Sequence, residues 1–114
     1  MTGFEKYREE VERFKRSDRY DREFKLFLDV LKRLDGRYIT AEDFKRIYDI
    51  PSVRLRTLVK NGRRMGYWIV SDQNGYKLTD NYFEMQETIK HLEERVSSLQ
   101  FTLECIKKGT VYGK

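Results

Sequence analysis

Cysteine, histidine and proline occur once each, as Cys105, His91 and Pro51, and the scarcity of the first two removes classes of protein. One thiol forms no internal disulfide, and one cysteine with one histidine cannot furnish the ligands of a zinc centre. No phosphate-cradling loop, catalytic-triad spacing or metal-ligand cluster is present, so the expectation is no enzyme, no catalytic or metal-binding residues and no cofactor. No apolar run approaches the roughly 18 residues of a membrane span, and the charged opening MTGFEKYREEVERF lacks the apolar centre of a secretory signal. A soluble, cytoplasmic chain without a membrane partner is therefore expected. With 114 residues there is room for one small domain and an appendage, and 7 Phe, 8 Tyr and 1 Trp are too many aromatics for a disordered chain.

A further absence is local. Residues 52–66 contain Arg54, Arg56, Lys60, Arg63 and Arg64 but no acid, whereas acids and bases alternate elsewhere. The net charge is +5, so this one segment carries the whole excess and the rest of the chain is balanced. A merely solvated helix would intersperse Glu or Asp for side-chain pairing. A concentrated cationic stretch instead points to a polyanionic partner.

Phe4, Tyr7, Val11 and Phe14 mark a short amphipathic helix. After a break at SDRYD, where Ser17 or Asp18 can cap, Phe24, Phe27, Leu28, Leu31 and Leu34 mark the main core helix, stopping at Asp35-Gly36. The run RYIT reads as a brief edge strand, and Thr40 to Asp43 as a cap for a helix burying Phe44, Ile47 and Tyr48. Pro51 ends that helix near Asp49 and opens another. In the new helix Leu55, Leu58, Val59 and Met65 point inward, leaving Arg54, Arg56, Thr57, Lys60, Arg63 and Arg64 to project outward. YWIVSD, QNG and YKLTD form a hairpin in which Asn74-Gly75 supports positive backbone angles. Helix, short strand, helix, turn, helix and hairpin in that order match a winged helix-turn-helix, whose second turn helix enters the DNA major groove.

From Tyr82 onward, apolar residues recur at alternating steps of three and four: Tyr82, Met85, Ile89, Leu92, Val96, Leu99, Leu103 and Ile106. These are a and d positions of an unbroken heptad seam, and β-branched a residues with Leu at d favour a two-stranded parallel coil. Self-association through this helix is expected, with folding back onto its own domain as the alternative. The Phe4–Phe14 helix can add a second helix per chain to such an assembly. His91 and Cys105 both fall at position c, outside the seam, and read as solvated side chains.

The segment IPSVRLRTLVKNGRRMGYWIVSDQNGYKLTD resembles small winged-helix proteins from phages of Gram-positive bacteria. The resemblance rests on Ser52 and Arg54, then Gly66, Ile69 and Ser71, then Gly75, Tyr76 and Leu78. It implies a DNA-binding factor of phage replication or transcription regulation, working in the cytoplasm of a bacterial host. The perfect heptads of the last helix depart from a simple monomeric version of that family.

The expected architecture is thus mainly α with a small β-hairpin. It comprises an N-terminal amphipathic helix (1–16), a winged helix-turn-helix domain (17–79), a C-terminal coiled-coil dimerisation helix (80–108) and a tail (109–114). The expected function is sequence-specific binding of double-stranded DNA by a homodimer. Arg54, Arg56, Thr57 and Lys60 would face the groove, following Ser52, with Arg63 and Arg64 nearer the phosphates. Asn74 and Lys77 on the wing, and Lys45 and Arg46 on the preceding helix, are weaker backbone contacts. The alternative is a protein-interaction module, a phage factor occupying and inhibiting a host protein through the same scaffold.

Overall fold

Side chains that satisfy helix-end amides set three of the five helix starts among the described residues. The Ser17 hydroxyl accepts from the Tyr20 amide (3.4 Å), Thr40 Oγ1 from the Asp43 amide (3.1 Å) and Asn81 Oδ1 from the Phe83 amide (2.9 Å). Each lies immediately before a helix, where amides have no intrahelical acceptor. The computed structural model describes residues 3–113, so residues 1 and 2 of the expected first helix and Lys114 of the expected tail lie outside it. The elements are α1 (Glu5–Arg16), α2 (Asp18–Leu34), α3 (Ala41–Tyr48), α4 (Ser52–Arg64), β1 (Ile69–Asp72), β2 (Gly75–Leu78) and α5 (Tyr82–Lys108). The chain is mainly helical, with one two-stranded hairpin and a long C-terminal helix. It divides into two units, one ending at Asp80 and the other beginning at Asn81.

The first unit is built around aromatic rings on α2. Phe27, Leu31, Phe44, Leu55, Leu58 and Ile69 are fully buried. Phe24 packs edge-on against Phe14 of α1 (5.7 Å), and Phe27 meets Phe44 of α3 (5.5 Å). Edge-to-face and tilted pairs suit the ring quadrupoles and join three helices in one core. Of the α1 stripe only Phe14 is buried; Phe4 and Tyr7 are exposed and Val11 is half-buried. α1 packs on α2 and α4 within this unit.

Two helices stop through aspartate rather than glycine. Asp35 (φ 48°) and Asp49 (φ 56°) both take the left-handed conformation, which their short polar side chains tolerate. Asp49 leaves three residues, Asp49 to Pro51, for the turn between α3 and α4.

Three expectations need correction. Of the α3 residues expected in the core, Phe44 is buried and Tyr48 half-buried, but Ile47 is exposed. RYIT is not a strand: Ile39 makes one isolated antiparallel bridge to Tyr76, with amide-to-carbonyl bonds of 3.0 and 2.8 Å. Arg37 and Tyr38 have no ladder partner, so the pairing ends after one residue. In the hairpin, Asp72 pairs with Gly75, leaving Gln73 and Asn74 as the loop, and Gly75 alone has a positive φ (118°) there. Asp72 Oδ1 accepts from the Asn74 amide (2.7 Å), so a side chain closes the turn that positive angles at Asn74 were expected to close. Gly75 is required twice over, because a Cβ there would lie 2.3 Å from the Ile39 carbonyl oxygen.

In the second unit, α5 starts at the Asn81 cap and runs 27 residues to Lys108. Tyr82, Leu92, Val96, Leu99, Leu103 and Ile106 of its heptad stripe are exposed. Met85 of the same stripe is buried and Ile89 half-buried, which corrects the expectation that the whole stripe is free to pair.

Candidate nucleic-acid interface

At 100° per residue, Leu55, Leu58, Val59 and Gly62 of α4 share the inward side and Val53, Arg56, Thr57, Lys60 and Arg64 the outward one. Burial follows this division: Leu55, Leu58, Val59 and Gly62 are buried, while Val53, Arg56 and Lys60 are exposed. Asn61, at the margin, is buried as well; its Nδ2 donates to the Thr57 carbonyl (2.9 Å), and its Oδ1 has no hydrogen-bond partner among the described residues. Gly62 was not among the expected inward residues, yet its lack of a side chain lets Ile69 and Phe24 close over the helix. A Cβ there would lie 2.7 Å from Ile69 Cδ1. α4 also opens without an acidic residue in its first turn, whereas each of the other four helices has one. The partial positive charge of its first amides is therefore not offset locally.

The five cations of this segment do not project outward alike, which corrects the expectation that all would. Arg54 is half-buried: its Nε donates to Glu23 of α2, 3.0 and 3.2 Å from the two carboxylate oxygens, and its Nη2 donates to the Asp49 carbonyl (3.2 Å). Glu23 also accepts from Arg19 (3.3 Å). This clamp ties α2 to the α3–α4 turn. Arg63 Nε donates to the Ile69 carbonyl (3.0 Å), fixing the end of α4 to β1. Arg64 Nη1 donates to Glu10 of α1 (2.9 Å), and its guanidinium lies 5.1 Å from the Tyr7 ring centre. That hydrogen bond holds the Glu10 carboxyl below the usual glutamate range, with weaker pulls from Lys60 and Lys6 and an opposing push from burial.

Arg56 and Lys60 remain exposed and are in no ion pair among the described residues. Thr57, between them, is half-buried and donates to the Val53 carbonyl (3.3 Å), a bond that holds its hydroxyl against the helix. Ser52 is exposed at the first position of α4.

On the hairpin, Asn74 is exposed at the loop. Lys77 is half-buried with its Nζ 4.6 Å from the Tyr38 ring centre, and Tyr38 donates to Asp72 (2.8 Å). That bond raises the Tyr38 pKa, and Lys77 opposes the shift. On α3, Lys45 is exposed, whereas Arg46 is paired with Asp43 (2.8 Å).

Two things escaped the sequence reading. Glu10 and Glu23 are the partners that withdraw Arg64 and Arg54, and they lie 54 and 31 positions away, beyond any local pattern. Val53 is the other. It is an apolar residue 69% exposed on the cationic face, and its position on the outward arc was the available signal.

No group of three or more His, Cys, Asp or Glu able to hold a metal ion occurs among the described residues, and no helix there is long and apolar enough to cross a membrane. The chain matches no protein-family model, no curated protein and no solved structure.

Proposed function

We propose that this chain is a winged helix-turn-helix protein that binds double-stranded DNA as a homodimer, in phage-type transcription regulation or replication. The observation that carries the reading is the outward face of α4, where Arg56 and Lys60 stand exposed on a segment without acids. α3 and α4, joined by a three-residue turn, supply the helix pair, and the β1–β2 hairpin supplies a wing. Arg56 is the base-reading candidate through bidentate bonds to guanine, and Lys60 contacts phosphate. Ser52, Lys45, Asn74 and Lys77 add backbone contacts. Arg54, Arg63 and Arg64 hold the scaffold in the free protein. The exposed part of the α5 seam, from Leu92 to Ile106, pairs two copies and so presents two such faces.

Fluorescence anisotropy against a random-sequence duplex at several salt concentrations tests the proposal. One phosphate contact from Lys60 of each protomer gives α4 a salt slope of about −2, against about −9 if all five of its cations engaged phosphate. Salt-insensitive binding, or none, removes the DNA reading. One observation favours a second reading as a protein-interaction module. Phe4, Tyr7, Arg8, Val11 and Arg64 line an open apolar groove of about 400 Å³ on α1, which is suited to an apolar segment of a host protein.

A further inference from the structure

Within the DNA-binding reading above, on which this inference rests, we propose that Val53 is a specificity residue that recognises the 5-methyl group of a thymine one or two base pairs from the guanine read by Arg56. Val53 is 69% exposed in the first turn of α4 and packs into none of the buried core. Val53 shares its arc with Arg56 and Lys60, the two exposed cations of α4 in no ion pair among the described residues, so any duplex that meets these cations also meets the valine.

The recognition chemistry is narrow. In the major groove the thymine methyl is the apolar feature that a branched aliphatic side chain can cover, excluding water from both. Arg56 lies three residues on, about 4.5 Å along the helix axis, against a base-pair rise of about 3.4 Å. The thymine is therefore one or two base pairs from the guanine. Arg54, clamped by Glu23 and the Asp49 carbonyl, stays out of the groove and fixes the turn from which Val53 projects.

The test is selection from a random 30-base-pair duplex pool with the full chain as wild type, Val53→Ala and Arg56→Ala, the fold of each variant being checked by thermal unfolding. The wild type enriches a thymine near a guanine; Val53→Ala keeps the guanine and loses the thymine, and Arg56→Ala loses the guanine. In the enriched duplex, replacing that thymine in one half-site by deoxyuridine, which lacks only the methyl, weakens wild-type binding about fourfold, the worth of one buried methyl group. Val53→Ala binds both duplexes alike, and Val53→Ile restores the preference. If Val53→Ala enriches the same thymine, or discriminates deoxyuridine as the wild type does, Val53 is not the reader, while DNA binding by Arg56 and Lys60 stands. If the wild type binds duplex with salt sensitivity but enriches no motif, sequence reading fails altogether. If it binds no duplex, the DNA-binding reading fails with it.

Discussion

Glu10 shows how one carboxylate decides what a basic helix offers. It occupies on Arg64 the place a phosphate would take, with the Tyr7 ring beneath the guanidinium. Glu10→Gln should free Arg64 for one more phosphate contact per protomer, steepening the salt slope of duplex binding by up to about 2 in a dimer. An unchanged slope in the anisotropy titration would show that Arg64 stays on α1. The same pair sets a pH dependence. Because the folded Glu10 carboxyl is held below its ordinary value, its contribution is present at neutral pH and is lost as pH falls through that lowered value. Thermal unfolding should therefore separate wild type from Glu10→Gln at pH 7 and bring them together in strong acid. Gly75 is the opposite case, where a side chain is forbidden. Gly75→Ala should cost about 3 kcal/mol in denaturant unfolding, combining strain at φ 118° with a clash against the Ile39 carbonyl.

At the scale of elements, the helices were readable because their signals are local. Apolar spacing marked α2 and α5, Thr40 marked the start of α3, and Pro51 separated α3 from α4. Thr40→Ala should remove about 1 kcal/mol of stability by leaving the Asp43 amide without its acceptor. The β elements were less legible. Whether RYIT becomes a strand depends on how much of a partner it meets, and β2 offers it only Tyr76. Likewise, Asn74 has no positive φ, and the Asp72 carboxylate closes the turn through an Asx bond two residues long, a local signal that the Asn-Gly pattern overshadowed.

For the whole molecule, the balance of charge and the α5 seam make separate predictions. The total of +5 is a property of composition, but Arg54 and Arg64 are held in ion pairs and Arg63 on the Ile69 carbonyl, which leaves Arg56 and Lys60 as the exposed cations of α4 in no ion pair among the described residues. A dimer doubles that pair, so affinity for duplex should depend steeply on self-association through effective concentration. Leu92 and Leu99 are exposed on α5, and the double variant Leu92→Asp, Leu99→Asp should sediment as a monomer where the wild type sediments as a dimer. Its duplex affinity should fall by at least tenfold with the first unit still folded. Monomeric sedimentation of both proteins would refute self-association through the seam.

Helix order, the hairpin, the cationic segment and the heptads follow from residues within a few positions of one another, because capping, periodicity and turn chemistry act over that range. Which arginines stay available was decided only in three dimensions. Glu23 and Glu10 reach Arg54 and Arg64 through the packing of α2 and α1 on α4, and Gly62 permits the close approach of Ile69 and Phe24. An ion pair between residues distant in the chain depends on where the folded core places two helices, and no local spacing carries that information.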